Sequence, residues 1–169
     1  MRKLLFESLV RRPFTERLRA SDDPELARLA SKLDRETQRR LGRSLSIRLV
    51  DAGSCNACEL ELNALSNPFY DLERFGLRFV ASPRHADVLL VTGPVTKNMR
   101  EALRRTYDAM PTPKWVVAVG DCAMCGGMFA GGYACVGSAA AVLHIDLEIP
   151  GCPPPPAALL RGLLALFDP

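Results

Sequence analysis

The chain has 169 residues, 48% of them hydrophobic and 24% charged, and its formal net charge at pH 7 is +3. These values are typical of a single soluble globular domain, and no apolar run reaches the roughly 18 residues that a membrane-spanning helix needs. The apolar stretch after Met1 is too short for a secretory signal, so we expect the protein in the cytoplasm.

Residues 1–44 are predicted to form a helical extension, separate from an α/β domain over 45–169. The extension carries 12 Lys and Arg against 7 Asp and Glu, a net charge of +5, whereas the remainder has a net charge of −2. Asp23 and Pro24 are a favourable cap and first-turn pair for a helix, and a further helical stretch is predicted over 14–20. We expect this extension to lie on the domain or on a partner.

We interpret the basic extension as a solvent-exposed helical face. The alternative is that its positive charge binds an acidic partner or an anionic membrane surface. The chain has no base-reading motif and no glycine-rich phosphate loop, so we predict that it binds neither nucleic acid nor a nucleotide.

From residue 45 onward, short β-branched runs alternate with helical stretches. Predicted strands cover 46–52, 77–81, 87–92, 114–119 and 143–149, and predicted helices cover about 57–66, 97–109 and 155–166. Two of the strands contain continuous apolar runs, which is typical of strands buried on both faces of a parallel sheet. This alternation predicts a doubly wound α/β sheet. The glycine pairs at 126–127 and 131–132 predict an irregular loop.

Four cysteines follow three of these strands, and they are the central feature of the sequence. Cys55 and Cys58 follow the first strand, Cys122 follows the fourth and Cys152 the last. The carboxyl ends of parallel strands share one edge of a sheet, so we expect the four thiols to converge there. Clustered thiols in a reducing compartment indicate metal or redox chemistry rather than disulfides.

Four converging thiolates match the ligand set of a 4Fe-4S cluster. Small residues beside the cysteines are expected to let backbone N–H groups reach the inorganic sulfides: Gly53, Ser54, Gly120, Gly126, Gly127 and Gly151. A four-thiolate zinc site that uses Cys125 in place of Cys152 is the main alternative, and a scaffold without metal is another. Otherwise Cys125 and Cys135 are expected to be small buried thiols.

Four motifs resemble one known family, in order along residues 45–166. They are GSCNACELEL at 53–62, SPRHADVLLVTG at 82–93, GDCAMCGGMF at 120–129 and IPGCPPPP at 149–156. They are similar to the small electron-transfer subunit of membrane-bound, energy-converting nickel-iron hydrogenases, of the formate hydrogenlyase and carbon-monoxide-linked type. The same family includes the 20 kDa subunit of respiratory complex I. The resemblance does not cover residues 1–44.

The resemblance implies a flavodoxin-like fold with one 4Fe-4S cluster on Cys55, Cys58, Cys122 and Cys152, next to the active site of a large partner subunit. That partner holds a nickel-iron centre in hydrogenases, whereas the 49 kDa-like subunit borders the quinone site in complex I. Other subunits, among them a ferredoxin-like one, are expected, and they would hold the chain at the cytoplasmic face of the inner membrane. Complex I has adjacent cysteines in the first motif, so the spaced pair here favours the hydrogenase branch.

Several further residues also have predicted roles. Of Glu59 and Glu61, one is expected to face solvent and one to cap the helix; alternatively Glu61, which matches a family acid, couples its protonation to the electron on the cluster. His85 and His144 are read as hydrogen-bonding residues rather than ligands. Phe129 and Tyr133 are expected in the core, although packing at the cluster or at an interface is the alternative. We predict no bond-making chemistry for this chain alone.

Overall fold

A computed structural model describes residues 24–167 of the chain. Five parallel strands form the main sheet: β1 (Leu45–Asp51), β2 (Leu77–Phe79), β3 (Val88–Thr92), β5 (Trp115–Val119) and β7 (Leu147–Ile149). Two short strands, β4 (Val95–Thr96) and β6 (Cys135–Gly137), pair antiparallel beside it. The helices are α1 (Pro24–Leu41), α2 (Ala57–Ala64), α3 (Met99–Asp108), α4 (Asp121–Cys125) and α5 (Pro156–Ala165).

The order of the main sheet is β2-β1-β3-β5-β7, and every neighbouring pair is parallel. Counting only these five strands along the chain, the order is 2-1-3-4-5, which is that of flavodoxin-like folds. The predicted fold class is therefore confirmed. In this topology the chain leaves the first strand on one side and returns on the other, so a crevice opens at the carboxyl ends of β1 and β3.

Hydrophobic side chains cover both faces of the sheet. On one face, α1, α2 and α5 pack against alternate residues of β1 and β3, including Ile47 and Leu90. On the other face, Leu89 and Val91 pack with Leu103 of α3 and with Ala123 of α4. This two-sided burial explains the continuous apolar run of β3, every residue of which is buried.

The extension contributes a well-packed helix to this core. α1 buries Ala30, Leu33 and Thr37 on one side, and it packs chiefly against α5, where Arg161 forms an ion pair with Glu25. The helix predicted over 14–20 lies outside the described residues. Within residues 24–167, no helix combines the length and apolarity that crossing a bilayer requires.

The sequence-based elements differ from the structure at several points. The last strand begins at Leu147 rather than at 143, because the Leu143 N–H donates back to the Ala139 carbonyl of the preceding turn and the side chain of Asp146 accepts the Val116 N–H. The β4–β6 ribbon was not predicted, since its strands are too short to show periodicity. α4 was not predicted either, and it is the helix on which Cys122 lies.

Candidate functional site

The four predicted ligands lie at the carboxyl ends of three strands of the sheet. Cys55 follows β1 and Cys58 is in the first turn of α2. Cys122 is the second residue of α4, directly after β5, and Cys152 follows β7. The three segments thus meet at one edge, as the strand order requires.

Electrostatic interactions connect all four thiols. Burial raises the pKa of Cys58 from an ordinary value of 9.0 to about 12, and the Glu59 carboxylate adds to this rise. The thiols of Cys122, Cys152 and Cys55 raise the pKa of Cys58 further. Such mutual interaction requires the four sulfurs to be near one another. It also disfavours the thiolate form of Cys58 unless positive charge enters the site.

Cys122 is in a similar environment with one added stabilising contact. Burial raises the pKa of Cys122, and the thiols of Cys152 and Cys55 raise it further. The backbone N–H of Met128 donates a hydrogen bond to the Cys122 thiol, which lowers its pKa. The loop after α4 therefore supplies an N–H donor to one of the candidate ligands, and Met128 was not among the predicted site residues.

Two glycines leave space for the sulfurs. A Cβ added at Gly120 would lie 2.7 Å from the Sγ of Cys58, and one at Gly127 would lie 2.7 Å from the Sγ of Cys122. Both residues also have positive φ, at 85° and 52°, where glycine is favoured. The tight approach at Gly120 shows that the thiol of Cys58 is packed against the end of β5.

The expected backbone hydrogen bonds to the sulfides are wrong for five of the six small residues. Their N–H groups already have protein acceptors: Gly53 and Ser54 donate to the Asp51 carboxylate, Gly120 to Ile149, Gly126 to Cys122 and Gly151 to the Asp121 carboxylate. The physical reason is that these N–H groups are needed to form the turns that hold the cysteines. Two aspartates, Asp51 and Asp121, thus organise the loops around the site.

Cys125 and Cys135 differ from the four candidate ligands. The thiol of Cys125 donates a hydrogen bond back to the Asp121 carbonyl, 3.2 Å away, and the residue is exposed rather than buried as expected. Cys135 is half-buried in β6. Across residues 24–167, no three His, Cys, Asp or Glu side chains are grouped closely enough to bind one metal ion.

The acids of α2 do not follow the expectation of one cap and one solvent-facing residue. No side chain caps α2; its N-cap residue Asn56 has a left-handed backbone conformation instead. Glu59 is only 6% exposed, and its two carboxylate oxygens are buried without a hydrogen-bond donor among the described residues. Glu61 is half-buried one turn after Cys58. Glu59 therefore places an unpaired acid next to a candidate ligand.

The two histidines are on the surface of the protein. His85 and His144 are exposed, and His144 lies 3.8 Å from the carboxylate of Asp146, a residue on the loop before β7. In contrast to the expectation of core packing, Tyr133 is 92% exposed and Phe129 is 47% exposed.

Exposed apolar side chains border the thiols. Met128 is 93% exposed in the loop after α4, and with Phe129 and Tyr133 it lines a shallow cavity of about 270 Å³. Leu60, two residues after Cys58, is also largely exposed. Contiguous exposed apolar side chains of this size are typical of protein interaction sites. We refer to Met128, Phe129 and Tyr133, which line this one cavity, as the rim patch.

The donor set fits an iron-sulfur cluster. Four thiols from three segments approach one another, and burial and neighbouring negative charge raise the pKa of Cys58 and of Cys122, which disfavours the thiolate form of these two residues until a metal centre binds. Each thiolate of a 4Fe-4S cluster binds its own iron, so its ligands need not approach as closely as the four around one zinc ion, each about 2.3 Å from the metal.

Comparison with known proteins identifies a family and several relatives. Residues 55–166 match the family model described as NADH ubiquinone oxidoreductase, 20 Kd subunit. The chain is 44% identical over 124 residues to formate hydrogenlyase subunit 7 of Escherichia coli K12, which covers 73% of this chain and 49% of that protein. It is also 44% identical over 128 residues to the probable membrane-bound hydrogenase subunit mbhJ of Pyrococcus furiosus, covering 76% and 77% of the two chains.

A solved structure agrees with these matches. A chain of the membrane-bound sulfane sulfur reductase, an archaeal respiratory membrane complex, superposes with a TM-score of 0.66 at 32% identity, covering 81% of this chain and 73% of that one. The chain spans about half the length of the formate hydrogenlyase subunit that it matches. The chain belongs to the family of the 20 kDa subunit of NADH ubiquinone oxidoreductase, together with these hydrogenase subunits.

Proposed function

We propose that this chain is the electron-transfer subunit of a membrane-associated, hydrogenase-like oxidoreductase complex, and that Cys55, Cys58, Cys122 and Cys152 hold one 4Fe-4S cluster. The observation that carries the proposal is that these four cysteines follow β1, β5 and β7 at one edge of the sheet, where Cys58 and Cys122 are near enough to the other thiols to interact with them. A cluster bound there supplies one-electron transfer. The protein contributes the ligands, a partly dry environment around Cys58 and the Met128 N–H on Cys122.

The position of the thiols beside the rim patch supports electron exchange with a partner. Apolar side chains exposed next to a redox centre favour a protein contact there, because burying them on association is stabilising. The partner proposed is a large hydrogenase-like subunit with its own active site. Membrane association would come through other subunits, as expected for relatives named as membrane-bound complexes.

The metal content of the full chain, purified without oxygen, tests the proposal. We expect about four irons and four sulfides per chain with broad visible absorption, and the Cys135→Ser variant should retain them because Cys135 is not among the four ligands. One zinc ion without iron would support a structural module instead. No metal after incubation with iron and sulfide would support a scaffold that has lost its cluster.

A complex I-type role is the second candidate, since the matching family model is named for that enzyme. In that case the cluster would lie beside a quinone site of a 49 kDa-like subunit. The spaced pair Cys55 and Cys58 favours the hydrogenase branch. Nickel in the co-purified complex supports the first candidate, and a nickel-free complex that reduces a quinone analogue supports the second.

Glu61 is proposed to couple protonation to the electron on the cluster. It is half-buried on α2, one turn after Cys58. The Glu61→Gln variant should have a cluster potential that no longer changes with pH, as measured by redox titration at several pH values. An unchanged pH dependence would reject this role.

A further inference from the structure

The segments that carry Cys122 and Cys152 are joined by a reciprocal pair of hydrogen bonds. The N–H of Asp121 donates to the carbonyl of Gly151 over 2.9 Å, and the N–H of Gly151 donates to Oδ1 of Asp121 over 2.8 Å. Asp121 and Gly151 each directly precede one of the cysteines. The side chain of Asp121, the residue before Cys122, thus forms a bridge to Gly151, the residue before Cys152.

This bridge lies beyond the last regular pairing of the sheet. β5 and β7 pair in parallel as far as Val119 and Ile149, and Gly120 extends the pairing with one bond to the Ile149 carbonyl. Gly151 then turns sharply, with φ at 135° and the backbone of Pro154 within 2.7 Å of where its Cβ would lie. Its N–H has left the regular ladder, so the Asp121 carboxylate takes the place of a strand acceptor.

We propose that Asp121 is a positioning residue that holds Cys152 at a fixed separation from Cys122, so that both thiolates reach the same cluster. This inference rests on the proposed function, because the separation of the two sulfurs matters only if both bind the same cluster. Residues that orient metal ligands through hydrogen bonds typically change metal retention by about 10-fold to 100-fold when removed.

The chain offers a matched control at the opposite end of the same strand. The carboxylate of Asp146 accepts the N–H of Val116 over 2.7 Å, at the start of β5. Like the bond of Asp121, it joins an aspartate side chain to a backbone N–H between β5 and the segment of β7. It lies, however, at the end of β5 that is away from the cysteines. Asp146→Ala therefore measures the general effect of losing such a bond.

The test compares the full-length wild-type chain with Asp121→Ala, Asp121→Asn and Asp146→Ala, each reconstituted without oxygen and then exposed to an iron chelator. We expect Asp121→Ala to lose iron about tenfold faster or more, with an altered EPR line shape of the reduced cluster. Asp121→Asn should stay within about threefold of wild type, since its amide oxygen still accepts the Gly151 N–H. Asp146→Ala should lose iron at the wild-type rate.

Wild-type rates for Asp121→Ala, or an equal acceleration by Asp146→Ala, would overturn the inference. If circular dichroism shows that Asp121→Ala does not fold, Asp121→Glu replaces it, because the longer side chain displaces the carboxylate from Gly151 while keeping its charge. Asp121→Glu should then accelerate iron loss, and a wild-type rate would overturn the inference. A wild-type chain that binds no iron would reject the proposed function, and this inference with it.

Discussion

The amino and carboxyl ends of the parallel sheet both use aspartates as acceptors for backbone N–H groups, but the two ends differ in what is left unpaired. At the amino end, just before β3, Asp87 is 2% exposed and accepts both the Ser46 N–H and two bonds from the Arg43 guanidinium. At the carboxyl end, Asp51 and Asp121 accept the N–H groups of the cysteine loops.

The carboxyl end nevertheless retains groups that its own residues do not satisfy. The Glu59 oxygens have no donor among residues 24–167, and burial and the neighbouring thiols raise the pKa of Cys58 and of Cys122. The polar groups at the amino end are thus paired within the protein, whereas the carboxyl end keeps the unpaired groups that the proposed cluster site would use. Substitutions at the two ends should separate these roles.

The largest effect is expected for Gly120→Ala at the carboxyl end. The added methyl would lie 2.7 Å from the Sγ of Cys58, at a φ of 85° that alanine rarely adopts, so the iron content should fall about tenfold or more. Gly42→Ala is the matched control, since its φ is 65° but nothing lies within 4 Å of the added methyl. Equal iron contents in Gly120→Ala and wild type, by metal analysis, would contradict the packing of Cys58 described above.

A smaller effect, on stability alone, is expected at the amino end. Asp87→Ala leaves the Ser46 N–H and the Arg43 guanidinium without their acceptor, which should cost about 3 kcal/mol of unfolding free energy. Thermal unfolding should show a Tm lower by about 6–12 °C, while the cluster spectrum stays as in wild type. An altered cluster spectrum in the folded variant would show that the two ends are not independent.

Partner affinity should respond to the rim patch. Tyr133→Ala removes a side chain that is 92% exposed, so the Tm should not change, whereas binding to the co-purifying large subunit should weaken about tenfold. Phe69→Ala removes another exposed aromatic side chain, in the connection after α2, and serves as the control. Equal binding of Tyr133→Ala and wild type would place the interface elsewhere.

The smallest effect is expected for Arg105→Ala. This substitution breaks an exposed ion pair with Glu101 on α3, in which the nitrogen and oxygen are 2.8 Å apart. Solvent screening limits such a pair to about 0.5 kcal/mol, so both the Tm and the iron content should match wild type. A large loss of stability would mean that α3 depends on this pair more than on the burial of Leu103.

The sequence predicts the fold well because the features that specify it are local. The apolar runs of β3 and β5, and the glycines at 53, 93 and 120 that follow β1, β3 and β5, are visible as patterns. The meeting of distant cysteines also follows, because the topology brings the carboxyl ends of the strands together. The predicted ligand set itself stays a prediction.

The parts that the sequence does not predict depend on non-local contacts. The bond from Gly151 to Asp121 joins residues 30 positions apart, and no periodicity signals it. The burial of Glu59 likewise depends on how α2 packs, because Glu59 and Glu61 occur in the same local pattern. The exposure of Tyr133 was mispredicted because aromatic residues are usually buried.

Counting iron in two cysteine variants tests the central claim most directly. The zinc hypothesis makes Cys125 a ligand and leaves out Cys152, whereas the cluster hypothesis makes Cys152 a ligand and leaves out Cys125. The variants Cys125→Ser and Cys152→Ser remove these two thiols one at a time. After anaerobic reconstitution of the full chain, we expect Cys125→Ser to keep about four irons and the EPR signal of the wild-type cluster, and Cys152→Ser to lose that signal. Loss of metal in Cys125→Ser with retention in Cys152→Ser would contradict the account.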